Sequence, residues 1–183
     1  FIFIVIVRKS INGSIFRHQI QPFLLEVKNN DMQSIILAYL PGAIISMILA
    51  PKIGKWVDKI YPAIVITISS IIGAITTFFL IRINSIEMFA LLWIIDNTIV
   101  QMAYLSIQNL LSRTSISHRG KIMGFNALSE NIGTIIGPIL GGLAWDYLRP
   151  QAPFTISIYI ELALIPFYWF AVSYIIPNLA ETK

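Results

Sequence analysis

No cysteine occurs among the 183 residues, which excludes disulfides and thiolate chemistry but fixes no compartment. Charge is scarce as well. Asp, Glu, Lys and Arg make up 12% of the chain, against about 25% in soluble domains, and that is too little to coat a water-facing surface. The two histidines, His18 and His118, stand far apart with no ligand spacing around them, so no metal centre is expected. A Walker loop is missing, as is the Gly-x-Gly spacing of a dinucleotide fingerprint, and the serines near Arg113 have no visible base partner. These absences argue against an enzyme and against any cofactor. What remains is apolar: hydrophobic residues make up 56% of the chain and the mean hydropathy is +0.76. Isoleucine dominates, which suits lipid-facing helices as well as strands, so segment length has to choose. Apolar runs of roughly 20 residues match a bilayer core of about 30 Å, whereas membrane strands need only about 10.

Six helical spans can be drawn, at about 1–24, 32–50, 62–82, 86–109, 121–145 and 153–176. They make the chain an all-α membrane protein in which residues 1–183 form one six-helix unit. The connections carry turn signals, Asn29-Asn30 and the run from Arg149 to Pro153 among them. Arg8, Lys9, Arg17, His18 and Gln19 interrupt the first span, and an amphipathic arm is its alternative reading. The chain begins with Phe-Ile-Phe-Ile and has no small-residue cleavage site after its first segment, so it reads as a fragment of a longer protein and not as a signal peptide. Basic residues orient the set. With residue 1 in the cytoplasm, the inner connections hold Lys52, Lys55, Lys59, Arg113, Arg119, Lys121 and Lys183, and the outer ones only Lys28, Arg82 and Arg149. Seven against three is a positive-inside signal that puts both ends in the cytoplasm, the plasma membrane being the expected location. The net charge of +4 is explained by this placement and implies no nucleic acid.

Small residues recur at helical spacing on two spans: Ser69, Gly73 and Thr77 on the third, and Gly133, Gly137 and Gly141, with Pro138 beside them, on the fifth. In a soluble helix each glycine would cost about 1 kcal/mol against alanine and an interior proline about 3. In a bilayer such residues let another helix approach closely, so both stripes are expected to be packing surfaces. Between spans two and three, Gly54 is followed after three residues by Asp58 and Lys59. Between four and five stands Arg119, leading into the glycine helix. Together, and in this order, these features resemble helices seven to twelve of a major facilitator superfamily transporter, loosely of its drug–proton antiporter branch. The family's further glycine and basic pair do not follow Lys59; Ile60, Tyr61 and Pro62 stand there instead. The resemblance implies a missing N-terminal six-helix half, a small-molecule substrate bound between the halves near the midplane, and a gating role for Gly54, Asp58, Lys59 and Arg119.

On the fourth span, Trp93, Asn97, Gln101, Tyr104 and Gln108 share one face, a stripe that would be costly against lipid and must meet protein or water. The resemblance implies that this helix and the first line the cavity, which adds Asn12 and Gln19 as candidates. Asp96 and Glu130 lie about ten and nine residues into their spans, roughly 14–15 Å from the entry, where an acid is a candidate proton carrier. Glu161 is as deep, but the resemblance puts its helix at the periphery. The leading expectation is a secondary transporter working by alternating access, with proton-coupled efflux of an amphipathic organic molecule through Asp96 and Glu130. Uptake of a sugar or an organic acid on the same scaffold is the runner-up. A membrane sensor or assembly protein that transports nothing belongs to a different class and also fits a single half.

Overall fold

The computed structural model of the chain describes residues 2–114 and 118–176; Lys183, assigned to the inner surface above, lies outside them. Six α-helices follow one another: α1 (Ile2–Pro22), α2 (Met32–Val57), α3 (Pro62–Leu80), α4 (Ile86–Thr114), α5 (Arg119–Tyr147) and α6 (Ala152–Ile175). There is no strand among the described residues. Four of the helices, α2, α3, α4 and α6, are long and apolar enough to cross a bilayer. The other two, α1 and α5, carry the basic and glycine-rich stretches that lower their hydropathy. They are packed most extensively against each other, so that much of their polar surface faces protein.

Local signals start and stop these helices. Asp31 caps α2, its carboxylate accepting from Ser34 N at 2.9 Å and from Ser34 Oγ at 2.7 Å. Proline opens both α3 and α6, where its missing N–H leaves no intrahelical bond unmade. At the far end of α1 the chain widens into a π-helical turn over Phe23–Val27, then reverses through Asn29 at φ 54°, a left-handed position that asparagine tolerates. Helix α2 runs further than the sequence suggested. It continues through Pro51 and Gly54 to Val57, so Gly54 is helical and the turn begins only at Asp58. Helical geometry costs Pro51 one hydrogen bond, and α2 absorbs that loss as it absorbs the Pro41-Gly42 pair earlier in the helix.

Helix α1 packs on α5 and α6, α2 on α4, and α3 on α4 and α6. The glycines of α5 make the first of these contacts possible. A Cβ built on Gly133 would stand 2.3 Å from Ser10 Cβ, and one on Gly137 2.4 Å from Ser14 Cβ and 2.8 Å from the Ile11 carbonyl oxygen. At Gly141 the neighbour is the Gln19 side chain, at 3.0 Å. The stripe on α3 behaves differently. A Cβ on Gly73 would meet nothing within 4 Å among the described residues, because this face opens onto a cavity instead of a helix crossing. Much of the outer surface is apolar, with Ile36, Leu40, Met47 and Ile48 of α2 exposed, a surface suited to lipid.

Candidate functional site

Two apolar clusters close the two ends of the bundle. At the end holding the α1–α2 turn, Phe16, Ile20, Phe23, Leu80, Phe89 and Phe154 pack together. Trp93 stacks there between Phe16 and Phe89, with ring centroids 6.1 and 5.7 Å away. At the opposite end Val5, Ala63, Ile66, Leu110, Leu164 and Tyr168 form the second cluster. Between them lies a partly open cavity of about 340 Å³, lined by α1, α3, α4, α5 and α6 with a largely apolar wall that carries several charged and polar side chains.

Five acidic or basic side chains line this cavity: Lys9 and Arg17 from α1, Asp96 from α4, Glu130 from α5 and Glu161 from α6. Each acid is held by neutral donors. Thr76 Oγ1 donates to Asp96 Oδ1 at 3.3 Å, and Asn126 Nδ2 to Glu130 Oε1 at 2.9 Å. Glu161 joins three helices, accepting from Asn12 Nδ2 of α1 at 3.1 Å and from Ser70 Oγ of α3 at 2.6 Å. The Asn12 amide also donates to the Ser157 carbonyl at 3.1 Å. Lys9 lies within electrostatic reach of Glu161 and Glu130, and its Nζ sits 5.8 Å from the Tyr168 ring centroid, a cation–π distance. Asp96 lies within reach of Arg17 and Glu161. Three polar atoms on the cavity wall are buried without a hydrogen-bond partner: Asn12 Oδ1, Asn126 Oδ1 and Ser69 Oγ.

The residues singled out from the sequence divide into two groups. Asn12, Tyr104, Asp96 and Glu130 line the cavity. Trp93 and Asn97 are instead turned toward α2, where a Cβ on Gly42 would lie 2.8 Å from Trp93 Cδ1 and 3.2 Å from Asn97 Nδ2. Asn97 spends its amide on the Trp93 carbonyl, at 2.9 Å. Gln19 rests on Gly141, and Gln101 is half-buried off the cavity wall. Helix α4 therefore presents to the cavity a stripe neighbouring the expected one, through Asp96, Ile99, Val100, Ala103, Tyr104 and Ile107. Sequence reasoning set Glu161 aside because of its helix. The signal available was its spacing of four from Ser157 and the serine pair Ser69-Ser70, small polar residues in otherwise apolar spans.

The turn after α2 is built differently from a simple helix start. Asp58 is the C-terminal cap of α2, and its Oδ1 accepts from Asn109 Nδ2 of α4. It does not cap α3, whose N-cap Tyr61 makes no side-chain capping bond. Lys59 and Arg119 are exposed at the same end of the bundle.

Two comparisons with known proteins bear on this architecture. A family model described as Major Facilitator Superfamily matches residues 13–179. The tetracycline resistance protein, class B, of Escherichia coli is 29% identical over 131 residues, which cover 70% of this chain and 32% of that protein. The chain spans about a third of the length of the relative it matches.

Proposed function

Because the chain belongs to the Major Facilitator Superfamily, we propose that it forms one six-helix half, the C-terminal one, of a secondary transporter that exports a small organic solute by alternating access in exchange for protons. The observation that carries this reading is a cavity of about 340 Å³ with Asp96, Glu130 and Glu161 on its wall and apolar clusters on both sides. Ionisable groups at membrane depth are costly and gather where ions or solutes pass. The cavity is also large enough for a drug-sized molecule. Similarity to a tetracycline resistance protein supports export as the direction, since removal of a drug from the cell gives resistance.

In this reading α1 and α5 cross the bilayer beside the four more apolar helices, in the plasma membrane, with both ends of the segment in the cytoplasm. Asp96 and Glu130 bind and release the coupling proton. Asp58, Lys59 and Arg119 latch the cytoplasmic end, the Asp58–Asn109 bond being the contact to be broken on opening. The test is flux of tetracycline into inverted proteoliposomes of the full-length protein, with and without an imposed pH gradient. Gradient-driven uptake supports export. Uptake that ignores the gradient removes the proton from the mechanism.

A further inference from the structure

Helices α1 and α3 both line the cavity, yet they make at most marginal contact with each other. We propose that Glu161 of α6 is a positioning residue: its carboxylate clasps α1 to α3 and so fixes the width of the cavity, and it is not one of the acids that exchange protons. The clasp stands on the packing alone, whereas its separation from proton exchange rests on the reading of the cavity as the transport site.

Gly13 of α1 and Gly73 of α3 lie on the cavity wall, and a Cβ built on either would meet nothing within 4 Å among the described residues. Apolar packing beside these glycines therefore does not set the spacing of the two helices. Helix α6 packs on both, and Glu161 is the α6 side chain that reaches both. Its Oε2 accepts from Asn12 Nδ2 at 3.1 Å, and its Oε1 from Ser70 Oγ at 2.6 Å, the length of a charge-assisted bond. Asn12 and Ser70 are each buried. The Asn12 amide also donates to the Ser157 carbonyl one turn earlier in α6, at 3.1 Å, and Ser157 Oγ donates back to the Asn12 carbonyl at 3.4 Å, which holds the α1 end in place. The other two acids are tied differently. Glu130 accepts from Asn126 on its own helix, and Asp96 from Thr76 of α3, a helix on which α4 already packs. A proton on either disturbs no bridge between helices that lack other contact. On Glu161, a proton at Oε2 would meet an Asn12 N–H group, which only donates, and one at Oε1 would force Ser70 Oγ to stop donating. The titratable groups around Glu161 are Lys9 and Arg17 of α1, Asp96 and Tyr104 of α4, Glu130 of α5 and Tyr168 of α6, while α3 brings none. Lys9 is within reach of both Glu161 and Glu130, so neutralising Glu161 leaves it an anionic partner.

A double-mutant cycle tests the clasp, read as unfolding equilibria of the full-length protein in bicelles. Asn12→Ala and Ser70→Ala should be coupled by at least about threefold in the unfolding constant, since each removes one end of the same tie. In Glu161→Gln the coupling should persist, because the side-chain amide accepts from Asn12 and donates to Ser70. In Glu161→Leu it should fall to within about twofold of additivity. Additivity in the unaltered background overturns the clasp, as does coupling that survives Glu161→Leu. Should the leucine variant not fold, the cycle in the unaltered background decides alone. Gradient-driven flux of tetracycline into inverted proteoliposomes then tells a positioning role from a proton carrier. Glu161→Gln should retain that flux, whereas Asp96→Asn should not. Loss of flux in a folded Glu161→Gln protein makes Glu161 a proton carrier and overturns the assignment. If the unaltered protein moves no tetracycline, the export reading fails, and the cycle still decides the clasp.

Discussion

Replacing Gly137 by alanine adds a single methyl group, and the structure says where it goes. The new Cβ would lie 2.4 Å from Ser14 Cβ, 2.8 Å from the Ile11 oxygen and 3.0 Å from Ile15 N. Ordinary contact begins near 3.4 Å, so α1 must move from α5 by about 1 Å. Two of the three obstructing atoms are backbone, which cannot rotate away. Overpacking of this kind costs about 1–3 kcal/mol. Alanine's better helix propensity offsets about 1 kcal/mol, leaving a net loss of about 0–2 kcal/mol, or about 1–3 kcal/mol relative to an uncrowded Gly→Ala change that gains the same propensity. Gly142 is the internal control: it lies on the same helix, nothing stands within 4 Å of its Cβ position among the described residues, and Gly142→Ala should be neutral or slightly stabilising. Leu140→Ala, at a side chain 45% exposed, should also cost little, since lipid replaces most of what is lost. Gly137→Leu should be worse than either alanine variant. Equilibrium unfolding in bicelles reads the differences directly. If Gly137→Ala proves as stable as Gly142→Ala, the α1–α5 crossing is looser than described and the glycine stripe does not set it.

Three further outcomes are expected. Cysteines introduced at Lys55 and Arg119 should be labelled by an impermeant reagent only from the cytoplasmic side, and one at Asn30 only from outside; labelling of Asn30 and Lys55 from the same side would refute the orientation. Asp96→Asn and Glu130→Gln should each keep the fold and solute binding yet abolish pH-driven transport in proteoliposomes, and uphill transport with an unchanged pH profile in both would make these acids structural. Asp31 is held below its ordinary carboxyl value of 3.8 by the two hydrogen bonds from Ser34, so its cap should persist at neutral pH and dissolve only as pH falls through that lowered value. The Ser34 amide resonance, followed against pH, should therefore move with a midpoint under 3.8, and a midpoint above it would contradict the cap.

Helix positions were readable because each is set by a long apolar run ended by local breakers, as at Asn29-Asn30 and Arg149-Pro150. The end of α2 was harder to read, since Pro51 and Gly54 look like breakers but are absorbed within the helix. Cavity-lining residues were legible to the extent that depth alone defines them. Asp96 and Glu130 follow from counting along their helices, and both reach the cavity. Rotation about a helix axis is another matter. The polar stripe through Trp93 and Asn97 satisfies itself against α2 and its own carbonyls, an arrangement that depends on Gly42 being opposite and that no pattern within α4 records. Glu161 shows the same limit from the other side: its partners come from α1 and α3, 149 and 91 residues away in the chain.

The uneven packing of the six helices has a mechanical consequence. Helices α2, α3 and α4 hold together as one group, and α1, α5 and α6 as another. Between the groups, α3 and α6 make the broad contact, while α4 and α5 touch only slightly. Such a bundle is stiff along one edge and compliant along the other, like a book held at its spine. The cavity lies inside the fold of the book, with Asp96 on one cover and Lys9, Arg17, Glu130 and Glu161 on the other. The pages separate most easily on the α4–α5 side. Opening the covers by a small angle lengthens the distance between Asp96 of α4 and Glu130 of α5 far more than it disturbs Ser70 and Glu161, which sit at the spine.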